Sequence, residues 1–177
     1  MGIVNAVIGV ATLAGAAVAA ILPPPKSRVR VICNALLFSM STENIMLAFG
    51  KTLPVWCLAG FLGWIAIPLM NTNLDATLRL SIPEVMQGRV YAARNSLQFF
   101  TIPLGYLAGG WLVDRVFEPM MAAQALDSLL VHLFGEGKGS GAACFFAVLA
   151  VTGVAVCLAF RRIHAIWRLE EGAFVSK

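Results

Sequence analysis

Charge in this chain is confined to the edges of long apolar runs. Between Asn71 and Pro119 the residues Asp75, Arg79, Glu84, Arg89 and Arg94 gather on one side. Asp114 and Arg115 close the other side, and Asn95 to Val113 carry no charge at all. A soluble amphipathic helix bears charge along one face throughout its length, whereas a membrane helix collects it at the ends, where water is reached. The remainder of the chain repeats the pattern. Of its 177 residues 59% are hydrophobic and 12% charged, with a mean hydropathy of +0.83. That is half the ~25% charge of a typical soluble domain. The sequence predicts an all-α integral membrane protein whose first partner is the lipid bilayer. The net charge of +4 lies in small groups between apolar runs, so it reads as topology and not as a nucleic-acid surface.

Five spans are expected in a single membrane domain, 1–177, at about 2–22, 29–49, 53–74, 91–113 and 142–160. Each approaches the ~20 residues a bilayer requires. The first has no basic leader and is followed by Pro23-Pro24-Pro25-Lys26, so it reads as a retained span and not a cleaved signal peptide. The prolines stop it, and Lys26, Arg28 and Arg30 form a basic loop.

The second span is the most polar, with Asn34, Ser39, Ser41, Thr42, Glu43 and Asn44. Ser39 and Glu43 share one helical face, Asn34 and Ser41 another. One reading is helix–helix hydrogen bonding. The other is a carboxylate facing a water-filled cavity as a proton site or cation contact. An ionised group at mid-helix costs about 2.5–3.5 kcal/mol on insertion scales.

After a turn at Lys51–Pro54, the third span places Gly60, Gly63 and Asn71 on one face and Trp56 near an interface. The charged hinge follows. Pro83 marks an interruption there, and Gly88, within Gln87-Gly88-Arg89, is expected to adopt a backbone angle other residues avoid. Arg89 is expected to anchor the hinge at the headgroups and neighbouring helices.

The fourth span sets Asn95, Gln98, Gly105 and Gly109 on one face, either a packing seam or a cavity wall. Gly105 and Gly109 form a GxxxG, favoured as packing, and Pro103 offers a kink. Asp114 is expected to cap its outer end.

An outer loop, 114–141, carries a short surface helix within Met120–Phe134, an exposed His132 and a flexible turn from Gly135 to Gly141. That turn has no preceding strand and lacks the GKS/GKT ending of a phosphate loop. Cys33, Cys57, Cys144 and Cys157 all fall in apolar runs without CxxC spacing or a neighbouring histidine, so they read as packed thiols. Neither a nucleophile–base arrangement nor a metal-ligand cluster stands out, so the chain is not expected to be an enzyme or to hold a cofactor or metal.

The loop at 23–30, the hinge at 75–94 and the tail at 161–177 hold ten of the thirteen basic residues. Lys51, Arg115 and Lys138 lie in the alternate loops. The excess of Lys and Arg marks the cytoplasmic side, which places the N-terminus outside and the tail, with its interfacial Trp167, in the cytoplasm.

Several of these residues carry a family resemblance. Asn71, Pro83, the run Gln87-Gly88-Arg89-Val90-Tyr91-Ala92-Ala93-Arg94, then Pro103-Leu104-Gly105-Tyr106-Leu107-Ala108-Gly109 and Asp114-Arg115-Val116-Phe117-Glu118-Pro119 resemble the tenth and eleventh helices of major facilitator superfamily (MFS) transporters. The nearest type is bacterial drug efflux, including macrolide and enterobactin-exporter-like proteins. The loop Lys26–Arg30 resembles the one between their eighth and ninth helices. The resemblance spans nearly the whole chain and implies helices 8–12 of a C-terminal half, in the bacterial cytoplasmic (inner) membrane.

It also implies proton-driven export of small, often amphipathic molecules. Asn34, Glu43, Asn71, Asn95 and Gln98 are the candidates for the substrate or proton pathway. The Gly-x-x-x-Asp-Arg signature is replaced by Ile21-Leu22-Pro23-Pro24-Pro25-Lys26, and the expected seventh helix and N-terminal half lie outside the sequence. Transport in this fold rocks one half against the other around a midplane site, so the implied partner is the missing N-terminal half or a second subunit. A non-transporting fragment and a small homo-oligomeric channel or exporter are the other readings.

Overall fold

The computed structural model describes residues 2–124, 128–135, 137, 139–163 and 167. The described residues are helical with short connections. The order is α1 (Gly2–Ile21), α2 (Arg28–Phe49), α3 (Leu53–Ile65), α4 (Ile67–Ser81), α5 (Glu84–Leu112), a π turn (Val113–Phe117), α6 (Glu118–Ala122), α7 (Leu129–Phe134) and α8 (Ser140–Arg162). Glu136, Lys138, His164 and the tail from Arg168 to Lys177 lie outside the described residues, and with them part of the glycine turn and most of the basic tail.

Local chemistry sets the boundaries. Ser27 caps α2, its hydroxyl accepting the Arg30 N–H at 3.3 Å, which satisfies one of the four unpaired donors of a helix start. The Trp56 indole N–H donates to the Gly50 carbonyl at 2.8 Å, holding the turn between α2 and α3. Ser128 caps α7. The turn before α8 uses three glycines at φ +87°, +87° and +103° (Gly135, Gly137 and Gly139), a region L side chains avoid.

Three boundaries differ from the sequence expectation. The third span is two abutting helices broken at Ala66, and it runs on to Ser81. Pro68 has no N–H to give and its ring crowds the preceding turn. The fourth span begins at Glu84, not near residue 91, so most of the hinge is helix and the interruption is Ile82–Pro83 alone. Gly88 sits inside α5 and is not among the positive-φ glycines, so the special backbone angle expected there is absent. The helix also does not end at Asp114. It passes through a π turn into α6, and Asp114 caps nothing.

Four helical stretches among the described residues are long and apolar enough to cross a membrane: Gly2–Ile21, Arg28–Phe49, Leu53–Ser81 and Ser140–Arg162. Helix α5, expected as a fifth span, has the length but not the hydropathy. Asn95, Gln98, Thr101, Pro103 and four glycines dilute its apolar content.

Packing is by small residues. Helix α2 lies centrally against α8, α3 and α4, and α1 packs on α3 and α4. The buried apolar set is mainly alanine (Ala11, Ala35, Ala48, Ala59 and Ala150), while Leu13, Ile21, Phe99 and Tyr106 are 74%, 83%, 71% and 80% exposed. This inverts the soluble arrangement: small residues lie where helices approach closely, and bulky apolar ones face outward. A side chain on Gly15 would strike the Ile65 carbonyl and the Pro68 ring, so α1 seats directly in the break between α3 and α4. Helix α5 buries no residue.

Candidate functional site

Helix α5 stands off the bundle. Every residue from Asn95 to Ala108 is exposed, and among the described residues the helix is held near its two ends. At the start, side chains at 87, 91 and 94, one helical face, reach residues 75, 79 and 82 at the end of α4. Gln87 donates to the carbonyls of Arg79 (3.2 Å) and Ile82 (3.1 Å), Tyr91 donates its hydroxyl to the Asp75 carbonyl (3.1 Å), and Arg94 pairs with the Asp75 carboxylate. At the far end the π turn and α6 pack on α8. Gly141 sits so close to the Phe117–Glu118 backbone that a Cβ would come within 2.5 Å of the Glu118 nitrogen. Glu118 accepts the Gly139 N–H at 2.8 Å, and the Phe117 and Phe145 rings meet edge-on at 5.3 Å.

Between these attachments a groove of about 1120 Å³ separates α5 from α8. Gln98, Thr101, Gly105, Gly109 and Asp114 line one wall and Phe145, Phe146 and Leu149 the other. The lining is almost wholly apolar, with the Gln98 amide towards one end and the Asp114 carboxylate at the other. Pockets that enclose drug-sized molecules run to about 300–1,000 Å³, so the groove has room for such a guest. A second cavity of about 200 Å³ lies at the basic end, bounded by Pro23–Pro25, Arg28, Thr72 and Asn73.

The structure does not gather the five pathway candidates into one site. Asn34 is exposed on α2, Asn71 is half-buried on α4, and Asn95 and Gln98 are exposed on α5, where Gln98 alone of the five lines the groove. Glu43 lies in the α2–α3 contact, accepting the Trp64 indole N–H at 3.1 Å. It lines neither cavity. Of Ser39 and Glu43, one turn apart on α2, Ser39 is buried to 2% exposure and Glu43 is half-buried.

The motif residues divide similarly. Gln87 joins α5 to α4, whereas Gly88 and Arg89 are exposed, and a Cβ placed on Gly88 would meet nothing within 4 Å. The glycine pair does not form the expected packing seam. A Cβ on Gly105 would face open space, and one on Gly109 would meet the Phe145 ring edge at 3.7 Å. The face serves as a cavity wall because α8 stands too far off to fill it.

Sequence reading missed the aromatic wall of α8, since Phe145 and Phe146 sit in a run with no polar marker. It named Asp75 and Arg94 but not their pairing. The signal was available in the matched i, i+4, i+7 spacing of 75/79/82 and 87/91/94. Cys144 is buried and the other three cysteines half-buried, all as free thiols. Among the described residues no group of three His, Cys, Asp or Glu is placed to hold a metal. No family model, no curated protein and no solved structure matches the chain.

Proposed function

We propose that the chain is the C-terminal part of an MFS secondary transporter, corresponding to helices 8–12, that takes part in proton-driven efflux of small amphipathic molecules across the bacterial cytoplasmic membrane. The observation that carries this reading is the unit from α4 through Pro83, α5 and the π turn. The residues of the resemblance lie along it, and it walls an apolar groove with a carboxylate at one end and an amide towards the other. In this reading α1, α2, the α3–α4 pair, α5 and α8 are five spans. The basic residues at 26–30, 79–94 and 161–162 lie on the cytoplasmic side, leaving the N-terminus outside.

The exposed amides on α5 favour a protein or aqueous neighbour over lipid, since Asn95 and Gln98 make no side-chain hydrogen bond to the described residues and hydrocarbon supplies none. The missing N-terminal half is the natural occupant of that side. A homo-oligomer of five-span subunits meets the same requirement and is the second reading.

The test is the size of the native product in membranes of the source cell, probed with an antibody to the tail. A transporter with twelve spans scales from the 18.9 kDa of this chain to about 45 kDa. That band, or restored efflux when an N-terminal half is co-expressed with the 18.9 kDa chain, supports the reading. Efflux by the purified chain alone in liposomes moves the conclusion to the homo-oligomer. A band at the size of this chain that supports no transport with any supplied half leaves a non-transporting fragment.

A further inference from the structure

The joint between α4 and α5 is built from several polar side chains. The α1 contacts are made through glycine at close range, as at Gly15 on Ile65 and Gly60 on Ile8, and α2 meets α3 at Gly63 with one side-chain hydrogen bond, from Trp64 to Glu43. Between α4 and α5 long polar side chains span the gap. The Arg94 guanidinium holds the Asp75 carboxylate, the Tyr91 hydroxyl donates to the Asp75 carbonyl, and the Gln87 amide closes the end of α4 through the carbonyls of Arg79 and Ile82.

Asp75 is thus engaged twice, by its carboxylate and by its backbone. The pair is partly open to solvent, with Arg94 and Asp75 side chains 26% and 44% exposed. Such a pair is easily broken and re-formed, because water competes for both partners. Beyond it, among the described residues, α5 is next supported where Gly109 approaches Phe145 and the π turn meets α8.

We propose that the Asp75–Arg94 pair, with Tyr91 and Gln87, is a conformational latch. It fixes the angle of α5, and its release lets the hinge half of α5 move about the π turn as far as the Ile82–Pro83 connection to α4 allows, changing the width of the groove at that end. The π turn is the pivot, since its wider hydrogen-bond ring is a place where a helix bends. Pro83 is the loose joint at the other end, interrupting the helix without fixing the direction in which it resumes. Tyr91 does not replace the carboxylate–guanidinium contact, because its hydroxyl is already committed to the Asp75 carbonyl.

The inference concerns the geometry of α5 alone and does not depend on the transport reading. The experiment is distance measurement by pulsed electron paramagnetic resonance on the full chain in nanodiscs, with the four native cysteines replaced by alanine. One spin-label pair is Ala93→Cys on α5 with Leu158→Cys on α8. The control pair is Val18→Cys on α1 with Leu158→Cys. Residue 93 lies about 36 Å from Phe117 at 1.5 Å per residue, so a tilt of about 10° moves it by about 6 Å.

Arg94→Ala is expected to broaden the α5–α8 distribution or shift it by an amount of that order while leaving α1–α8 unchanged. Tyr91→Phe is expected to do so more weakly. The reversed pair Asp75→Arg with Arg94→Asp is expected to return the distribution towards the parent. An unchanged α5–α8 distribution in both Arg94→Ala and Tyr91→Phe overturns the latch. So does an equal change in the α1–α8 control, because the pair then supports the whole bundle and not the angle of one helix.

Discussion

The carboxylate of Glu43 on α2 accepts the indole N–H of Trp64 on α3 at 3.1 Å, in the space left by the absent side chain of Gly63. A Cβ on Gly63 would lie 2.7 Å from both the Cβ and Oε2 of Glu43. Three residues on two helices therefore form one contact: the glycine admits the carboxylate, and the tryptophan next to it supplies the donor.

The acceptor role of Glu43 sets the first prediction. Glutamine keeps an oxygen for the indole, so Glu43→Gln is expected to preserve expression and stability in detergent or nanodiscs. Glu43→Leu leaves the Trp64 donor unpaired and is expected to cost about 1–3 kcal/mol. Comparable losses for the two variants in an unfolding measurement exclude this role. On the proposed transport reading, assay of proton-dependent transport by Glu43→Gln with a co-expressed N-terminal half separates a structural acceptor from a proton carrier.

Glycines of α1 provide an internal comparison. Gly15 lies against the Ile65 carbonyl and the Pro68 ring, whereas Gly9 has nothing within 4 Å of its would-be Cβ. Gly15→Ala is expected to destabilise by about 1–3 kcal/mol, as overpacking does. Gly9→Ala is expected to be neutral or slightly stabilising, since alanine is the better helix former by up to about 1 kcal/mol. Equal thermal midpoints for the two variants would contradict the seating of α1 in the α3–α4 break.

The start of α8 depends on Gly139 and Glu118. Gly139 has φ +103°, a conformation that costs a side-chain-bearing residue about 1–2 kcal/mol, and its N–H is held by Glu118. Gly139→Ala should lower stability by that amount. Glu118→Ala should cost about 0.5–2 kcal/mol, as loss of a helix cap does, and should speed amide exchange over 139–143. Unaltered exchange there in Glu118→Ala counts against the cap.

Trp56 tests the turn between α2 and α3. Trp56→Phe keeps the ring but removes the donor to the Gly50 carbonyl, with an expected loss of about 0.5–1.5 kcal/mol. The exchange rates of the Gly50–Thr52 amides should rise with it. A variant matching the parent in both measurements shows that the bond adds nothing beyond packing of the ring.

Much of this architecture follows from the order of residues alone. Runs of about 20 apolar residues closed by Pro23–Pro25, Gly50 or Pro83 determine where α1 and α2 lie, because a chain with so little charge has to satisfy its backbone within helices. The same local rules misplaced the hinge. Gln87-Gly88-Arg89 looks like a break by composition, yet it continues a helix, since an isolated glycine is tolerated where neighbours on either side are helical. They also could not say that the segment from Leu53 to Ser81 bends at Ala66, which depends on Pro68 and on α1 pressing Gly15 into the gap.

Partners across the bundle were beyond their reach. Periodicity puts Glu43 on a face but cannot say that the face meets Trp64, and it puts Gly105 and Gly109 in a row without deciding whether another helix fills the row. Sequence alone determined which segments are helices and which end of each is charged, because backbone hydrogen bonding and solvation act over a few neighbouring residues. Tertiary structure decided that Asp75 holds Arg94, that Glu43 rests on Gly63, and that α5 stands apart to leave a groove, because those depend on which helix faces come together from distant parts of the chain.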